Sequence, residues 1–281
     1  MTKSKSKSEL GSKLICTLVL CLIGLLFVVP FIWMLSTSFK RPLEVFTYPI
    51  QWIPDEIQWE NYSDVWNNTS VPFGKSLFNS FFISIIAIVG QLAISSLAAY
   101  AFSKINFKGK NVVFLVFLAS MMIPSQVTVI PRFVLFKALN IYNTFGAVIY
   151  PNWFNVTSIF LLKQYYEAVP NELLESARID GAGQFRIWAT IATPLTTVGI
   201  TSVTILGFIA TWNDFMNPLI FLVNKNLYPV TLAINYFYSD DAPLFHLTMS
   251  AAVLSLVPIL ILYIVCQKYF VQSIANSGIK G

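Results

Sequence analysis

The stretch Ser76–Ser103 reads SLFNSFFISIIAIVGQLAISSLAAYAFS and carries no charge, with Lys75 before it and Lys104 after it. Roughly 20 apolar residues in a helix cross a hydrocarbon core, so the segment is long enough to span. Lipid offers free backbone groups no partner, and a lone spanning segment satisfies them only as a helix. The same test, carried outward, finds charge-free segments at Leu14–Phe39, Asn111–Pro131, Ala138–Leu162, Ile187–Asn213 and Ala242–Gln267. The expected fold is therefore all-α: a polytopic membrane protein of about six transmembrane helices. Asn226–Ser239 is also charge-free, but it is too short and too polar to span.

Composition agrees. Of 281 residues, 56% are hydrophobic and 11% charged, against about 25% charged in a soluble domain. The three cysteines, Cys16, Cys21 and Cys266, lie in apolar runs and form no paired framework. The single histidine, His246, excludes an all-histidine metal site, and no metal site is expected. The net charge of +5 has a topological explanation and asks for no nucleic-acid partner.

Charge distribution sets the orientation. One side collects the N-terminus, Lys104–Lys110, Lys163–Pro194 and the C-terminus, with twelve of the 18 basic residues. The positive-inside rule puts that side, and both termini, in the cytoplasm. The expected layout is an N-terminal tail over 1–13, a membrane domain over 14–270 and a C-terminal tail over 271–281. Outer loops fall at about 40–76 and 224–245, and an inner loop at about 164–194. Met1–Lys13 and the apolar run after it also resemble a signal peptide, with Ser36-Thr37-Ser38 as a small-residue cleavage site. The run is longer than the usual apolar region of about 7–15 residues, which favours an uncleaved first helix.

Several segments carry chemistry. The fourth span holds Asn143, Pro151, Asn152 and Asn155. Polar groups in a span should face the protein interior, as part of a solute path or as interhelical glue, and both readings stay open. Asn152 and Asn155, with Trp212, Asn213 and Asn217 from the fifth span, form the candidate solute path. Together they supply the hydrogen-bonding groups and the aromatic face that sugar recognition needs. Asp214 is read as structural, because its charge needs a nearby donor or water. The outer loop with Trp52, Trp59 and Trp66 is read as interface anchors.

The inner loop reads YYEAVPNELLESARIDGAG over 165–183. Pro170-Asn171 marks a helix start with Glu172 in its first turn. Leu173, Leu174 and Ala177 share one side at helical spacing. Asp180-Gly181 marks the stop, where glycine takes a positive φ. A second short helix, Gln184–Ala192, leads through Pro194 into the fifth span. The expected unit is a compact helix–turn–helix with an exposed apolar stripe beside acids, suited to a partner's groove. A helix lying flat on lipid is the alternative, which the acids disfavour on an anionic leaflet.

That loop resembles the signature loop of bacterial ATP-binding-cassette (ABC) importer permeases. Glu175-Ser176-Ala177 stands for Glu-Ala-Ala, Gly181 follows at the family spacing, and Ile191-Ala192-Thr193-Pro194 closes the pattern. Ser176 and Thr193 depart mildly from it. Ala98–Ser103 with Phe107-Lys108-Gly109, Trp212–Phe215 with Pro218-Leu219, and the C-terminal stretch from Phe270 are similar to the same family. The carbohydrate-uptake branch, and within it the second permease subunit of maltose-type importers, matches best.

The resemblance implies a type I importer permease fold, and a subunit that is not itself an enzyme. It implies a second homologous permease, two ATPase subunits holding ATP and Mg, and an extracytoplasmic sugar-binding protein. Leu174, Glu175, Ala177, Asp180, Gly181 and Ala182 would then dock in an ATPase cleft. Tyr236, Ser239, Asp240 and Asp241 would face the binding protein, and Gly278, Ile279, Lys280 and Gly281 would insert between the ATPases. The chain has no ATPase motif of its own. Gly74-Lys75-Ser76 resembles the end of a P-loop, but Thr69 occupies the place of its first glycine. Two alternatives are an ABC permease for a polyol phosphate or peptide, and a secondary transporter. The latter would call for buried carboxylates or internal repeats, and only Asp214 lies near a span.

Overall fold

The computed structural model describes residues 7–238 and 244–278, and among these there are helices and no strands. The α-helices are α1 (Lys7–Ser38), α2 (Glu60–Trp66), α3 (Phe73–Lys104), α4 (Lys110–Ser120), α5 (Val129–Ala138), α6 (Phe145–Trp153) and α7 (Val156–Glu167). They continue as α8 (Asn171–Ile179), α9 (Gln184–Ile187), α10 (Thr193–Leu195), α11 (Thr197–Trp212), α12 (Met216–Phe221), α13 (Val230–Phe237) and α14 (Phe245–Gly278). A π-helical turn, Trp188–Ala192, joins α9 to α10. Among the described residues four helical segments are long and apolar enough to cross a membrane, and counting each of two bent pairs as one span gives six.

The bends correct the expected spans. Asn111–Pro131 is not one straight helix: Lys110–Ser120 and Ser125–Ala138 meet at 91°. Pro124 supplies the break, since proline donates no N–H and forces the preceding residue out of the helical region. The fourth span is Phe145–Glu167 rather than Ala138–Leu162. Asn140 and Asn143, with φ of 56° and 58°, make the turns that separate α5 from α6. The fifth span bends by 81° between Gln184–Leu195 and Thr197–Trp212, just after Pro194.

The chain forms two compact units. One is drawn from Met1–Asn68 and Ile234–Leu256, the other from Thr69–Ala233 and Val257–Gly281. In the first, the outer loop is tied to the end of α1. Asn61 Nδ2 donates to the carbonyl oxygens of Ser38 (3.0 Å) and Lys40 (2.9 Å), satisfying acceptors that a helix end leaves open. Ser38 Oγ pairs with the Tyr62 hydroxyl at 2.7 Å, and Ser250 Oγ donates to Ser38 O at 2.9 Å. Burial pushes the Tyr62 phenol above its ordinary pKa, with the Ser38 hydrogen bond opposing. Trp59 sets its ring edge-on to Phe39.

In the second unit α3 packs against α6, α7 and α11. Its buried face carries a row of small and polar residues, Ser76, Ser80, Ser84, Ala87, Gln91 and Ser95, at helical spacing. Small residues let neighbouring helices approach closely where no hydrophobic force drives them together. At Gly90 the approach is complete. The Trp153 indole lies flat where a Cβ would stand, 2.1 Å from it, and donates to Ile86 O at 3.1 Å.

Candidate functional site

A cavity of about 280 Å³ opens between α3, α7 and α11 around the junction of α6 and α7. That junction is a helix break. Phe154 and Asn155 are extended, and Asn155 begins α7 by accepting a hydrogen bond from Ser158 N at 2.9 Å. Side-chain capping of this kind satisfies one of the free N–H groups of a helix start. Asn152, two residues before the break, donates to Val148 O at 2.8 Å. Across the cavity, Gln91 Nε2 donates to Ser158 Oγ at 2.6 Å. Gly207 gives Gln91 room, since a Cβ there would meet its Oε1 at 2.8 Å. Thr157 and Thr211 add hydroxyls, and Leu161, Val203, Leu206 and Ala210 add apolar wall. The lining is uncharged and rich in amides and hydroxyls, so it can exchange hydrogen bonds with a neutral polyhydroxylated ligand. Its volume is just under the roughly 300 Å³ at which small-molecule pockets begin.

Asn152 and Asn155 therefore stand together as expected, but the rest of the candidate path does not join them. Trp212 is fully buried, stacked with Phe208 and edge-on to Phe81, with its indole N–H unpartnered. Asn213 is exposed and bonds back to Ile209 O at 2.9 Å. Asn217 belongs to a separate polar cluster with Arg132 and Asp214. Asp214 has the expected donors, the N and Nδ2 of Asn217 at 3.2 and 2.8 Å. Asn143 is glue: its Oδ1 accepts from Val223 N and Asn224 N at 2.8 and 2.9 Å. Gln91, Thr157, Ser158 and Thr211 were missed, although Gln91 is one of only two amides in the stretch Ser76–Ser103.

The loop after α7 is built as its residues require. Pro170 precedes α8, and α8 ends at Ile179. Gly181 then adopts φ 86°. Its N–H bonds Arg178 O at 3.0 Å, and Ala182 N–H bonds Ala177 O at 2.9 Å. These two bonds form a Schellman cap, which needs a left-handed residue at the glycine position. Ala177 and Ala182 both pack against a buried cluster of Tyr100, Ile159, Leu162, Tyr166 and Ile187.

One part of the expected stripe is corrected. Leu174 is 2% exposed, buried in that same cluster, so it fastens the loop to this chain and presents nothing outward. The outward apolar groups are Leu173, Ile179 and Phe185, flanked by exposed Glu172, Glu175 and Asp180. Under the loop runs a hydrogen-bonded network. Tyr166 Oη lies 2.6 Å from Ser96 Oγ and 2.9 Å from Thr193 Oγ1, and Trp188 Nε1 donates to Ser96 Oγ at 3.0 Å.

Of the residues expected to face a binding protein, Tyr236 is exposed near the end of α13. Ser239, Asp240 and Asp241 lie outside the described residues. Of the tail, Gly278 is the last residue of α14, and Ile279, Lys280 and Gly281 lie outside the described residues.

Residues 91–276, which contain the loop, α11 and the cavity's Gln91, match the family described as "binding-protein-dependent transport system inner membrane component". The chain belongs to that family. It is thus a multi-pass membrane component of a binding-protein-dependent transport system. The arabinooligosaccharides transport system permease protein AraQ of Bacillus subtilis (strain 168) is 30% identical over 267 residues, covering 94% of this chain and 95% of the relative. The inner membrane ABC transporter permease protein YcjP of Escherichia coli (strain K12) is 30% identical over 282 residues, covering 100% and 99%. The sn-glycerol-3-phosphate transport system permease protein UgpE of Yersinia enterocolitica is 29% identical over 273 residues, covering 95% and 97%. Among solved structures, a chain of a bacterial ABC transporter that imports the acidic polysaccharide alginate superposes with a TM-score of 0.84. It is 22% identical, with 96% of this chain and 100% of that chain covered. This likeness shows that the family member has the importer permease fold.

Proposed function

We propose that this permease carries a sugar or oligosaccharide into the cytoplasm as one subunit of an ATP-driven importer. It lies in a bacterial or archaeal cytoplasmic membrane with both termini inside. The observation that carries the sugar reading is the uncharged cavity at the α6–α7 break, where amides and hydroxyls of Gln91, Asn152, Asn155 and Ser158 converge. The likeness to an arabinooligosaccharide permease supports it. The glycerol-phosphate relatives favour a polyol phosphate as the second reading.

The subunit works with a second homologous permease, two ATPase subunits that bind ATP and Mg, and an external binding protein. It catalyses no reaction itself. The exposed face of α8, with Leu173 and Glu175, docks on an ATPase, and Gly181 shapes the turn that allows it. The loop around Tyr236–Asp241 reaches the binding protein, and the tail from Gly278 to Gly281 enters the ATPase interface.

Affinity purification of the permease from its native membrane tests this. Co-elution of a second permease and an ATPase is expected, together with a sugar that raises the melting temperature of the cognate binding protein. A solitary permease driven by an ion gradient would sink the proposal.

A further inference from the structure

We infer that Arg132 recognises an anionic group, a carboxylate or phosphate, on the transported solute; the inference rests on the sugar-importer reading above. Arg132 sits in α5, inside the bent apolar pair Lys110–Ser120 and Ser125–Ala138. An arginine within such a segment is energetically expensive unless its charge and donors are matched. It lines a second cavity, of about 630 Å³, formed between the α4–α5 bend and the α6–α7 break. That cavity shares Asn155 and Thr157 with the uncharged cavity, and Arg132 is the one charged residue in its wall.

The direct contacts of the guanidinium are with neutral groups. Nη2 donates to Asn217 Oδ1 at 3.1 Å, and the guanidinium carbon stands 5.4 Å from the centre of the Phe221 ring. Asp214, the acid on the same hydrogen-bonded chain, accepts one hydrogen bond from Asn217 on each carboxylate oxygen and attracts the guanidinium through its charge, with Asn217 between them. Among the described residues no carboxylate forms an ion pair with Arg132. Its Nε is buried without a hydrogen-bond partner. A guanidinium carries five donors in a fixed fork that matches planar anions, and a buried donor left open is costly. Bracing α5 against α12 would use the Asn217 contact alone and would not need a charge in a cavity wall. A fixed cation with its Nε donor unspent, beside a cavity suited to hydroxyls, fits a sugar bearing a uronate or phosphate group.

The test uses cells carrying the complete transporter, given labelled oligosaccharides that are neutral, uronate-bearing or phosphorylated. Wild type should import an anionic sugar. Arg132→Gln should reduce that import about tenfold or more, the loss expected for one charged hydrogen-bonded contact. Arg132→Lys, which keeps the charge without the fork, should fall less, and any neutral sugar carried should be unaffected. Immunoblots of the membrane fraction verify insertion; if the glutamine variant is not inserted, the lysine variant and the wild-type panel decide. Import of neutral sugars alone by wild type overturns the inference and leaves the sugar reading intact. An equal loss for every solute also overturns it, exposing a brace or a lipid-phosphate contact. Import of non-sugar solutes alone overturns both readings.

Discussion

Lys104 Nζ, at the last residue of α3, lies 2.5 Å from the carbonyl oxygen of Val169. The same ammonium reaches Asn171 Oδ1 at 2.8 Å and Glu167 O at 3.4 Å. It therefore binds the carbonyl end of α7 and the first residue of α8 together. A helix C-terminus carries partial negative charge, so a cation there is favoured on two counts. The loop that the permease presents to its partners is held to α3 by this side chain, by the bonds from Trp188 to Ser96 and from Tyr100 to Gln184, and by the burial of Leu174.

Lys104→Met should loosen the loop while sparing membrane insertion. Lys104 is partly solvated, so the loss should be about 1 kcal/mol rather than the full value of a buried charged hydrogen bond. Trypsin cuts after Arg178 and Arg186, which flank the turn. Inside-out vesicles bearing Lys104→Met should be cleaved there faster than wild type. Unchanged cleavage would mean that Leu174 burial and the hydrogen bonds of Ser96 and Tyr100 hold the loop without Lys104.

Gly181 offers a cleaner perturbation, because nothing lies within 4 Å of a Cβ built there and its φ is 86°. Within this chain, any effect of substitution is conformational. Gly181→Ala should destabilise the turn by about 1–2 kcal/mol, Gly181→Val by more, and Gly181→Asn least, since asparagine tolerates the left-handed region. Sugar-stimulated ATPase activity of the purified complex should fall in the order Asn, Ala, Val at constant membrane abundance. A flat series would remove the Schellman cap from the coupling reading.

The position of this turn was readable from Pro170, Asp180 and Gly181 because caps are local chemistry. The orientation of Leu174 was not, because helical spacing places it on a side but cannot say which body covers that side. The same division runs through the spans. Apolar length placed the first, second and last expected spans close to the long helices observed. It passed straight through Pro124 and ran Ala138–Leu162 across Asn140 and Asn143, because a charge count is blind to backbone conformation. In the cavity, Asn152 and Asn155 stood out as amides in a span. Trp212 stood out equally and is core, since an indole fills a packed interior as well as a binding face.

Two glycines, Gly90 on α3 under Trp153 and Gly207 in the cavity wall, should respond differently to alanine. At Gly90 the new Cβ meets the indole of Trp153 at 2.1 Å, and the indole is pinned by its bond to Ile86 O. At Gly207 it meets only Gln91 Oε1, the far end of a flexible side chain, at 2.8 Å. Gly90→Ala should lower the melting temperature of the detergent-solubilised permease well beyond Gly207→Ala, as overpacking of a rigid site costs about 1–3 kcal/mol. Gly207→Ala should instead act on import, by moving Gln91 off Ser158. Equal thermal shifts would contradict the close fit of Trp153 on α3.

Asn155 combines two roles that one pair of variants can separate. Its Oδ1 caps α7 through Ser158 N at 2.9 Å, and the residue lines both cavities. Asn155→Ala removes the cap and the cavity group together, and should destabilise the permease by about 1 kcal/mol. Asn155→Asp keeps an oxygen for the cap, so thermal stability should stay near wild type. It also sets a carboxylate in a wall whose other groups are neutral, apart from Arg132 in the larger cavity. Import of a neutral sugar should then fall as the charge holds water in the cavity, and import of an anionic sugar should fall further by repulsion. Transport assays on both variants at matched membrane levels check this. An aspartate variant that is stable and imports every solute like wild type would show that Asn155 serves the helix break alone and lies off the solute path.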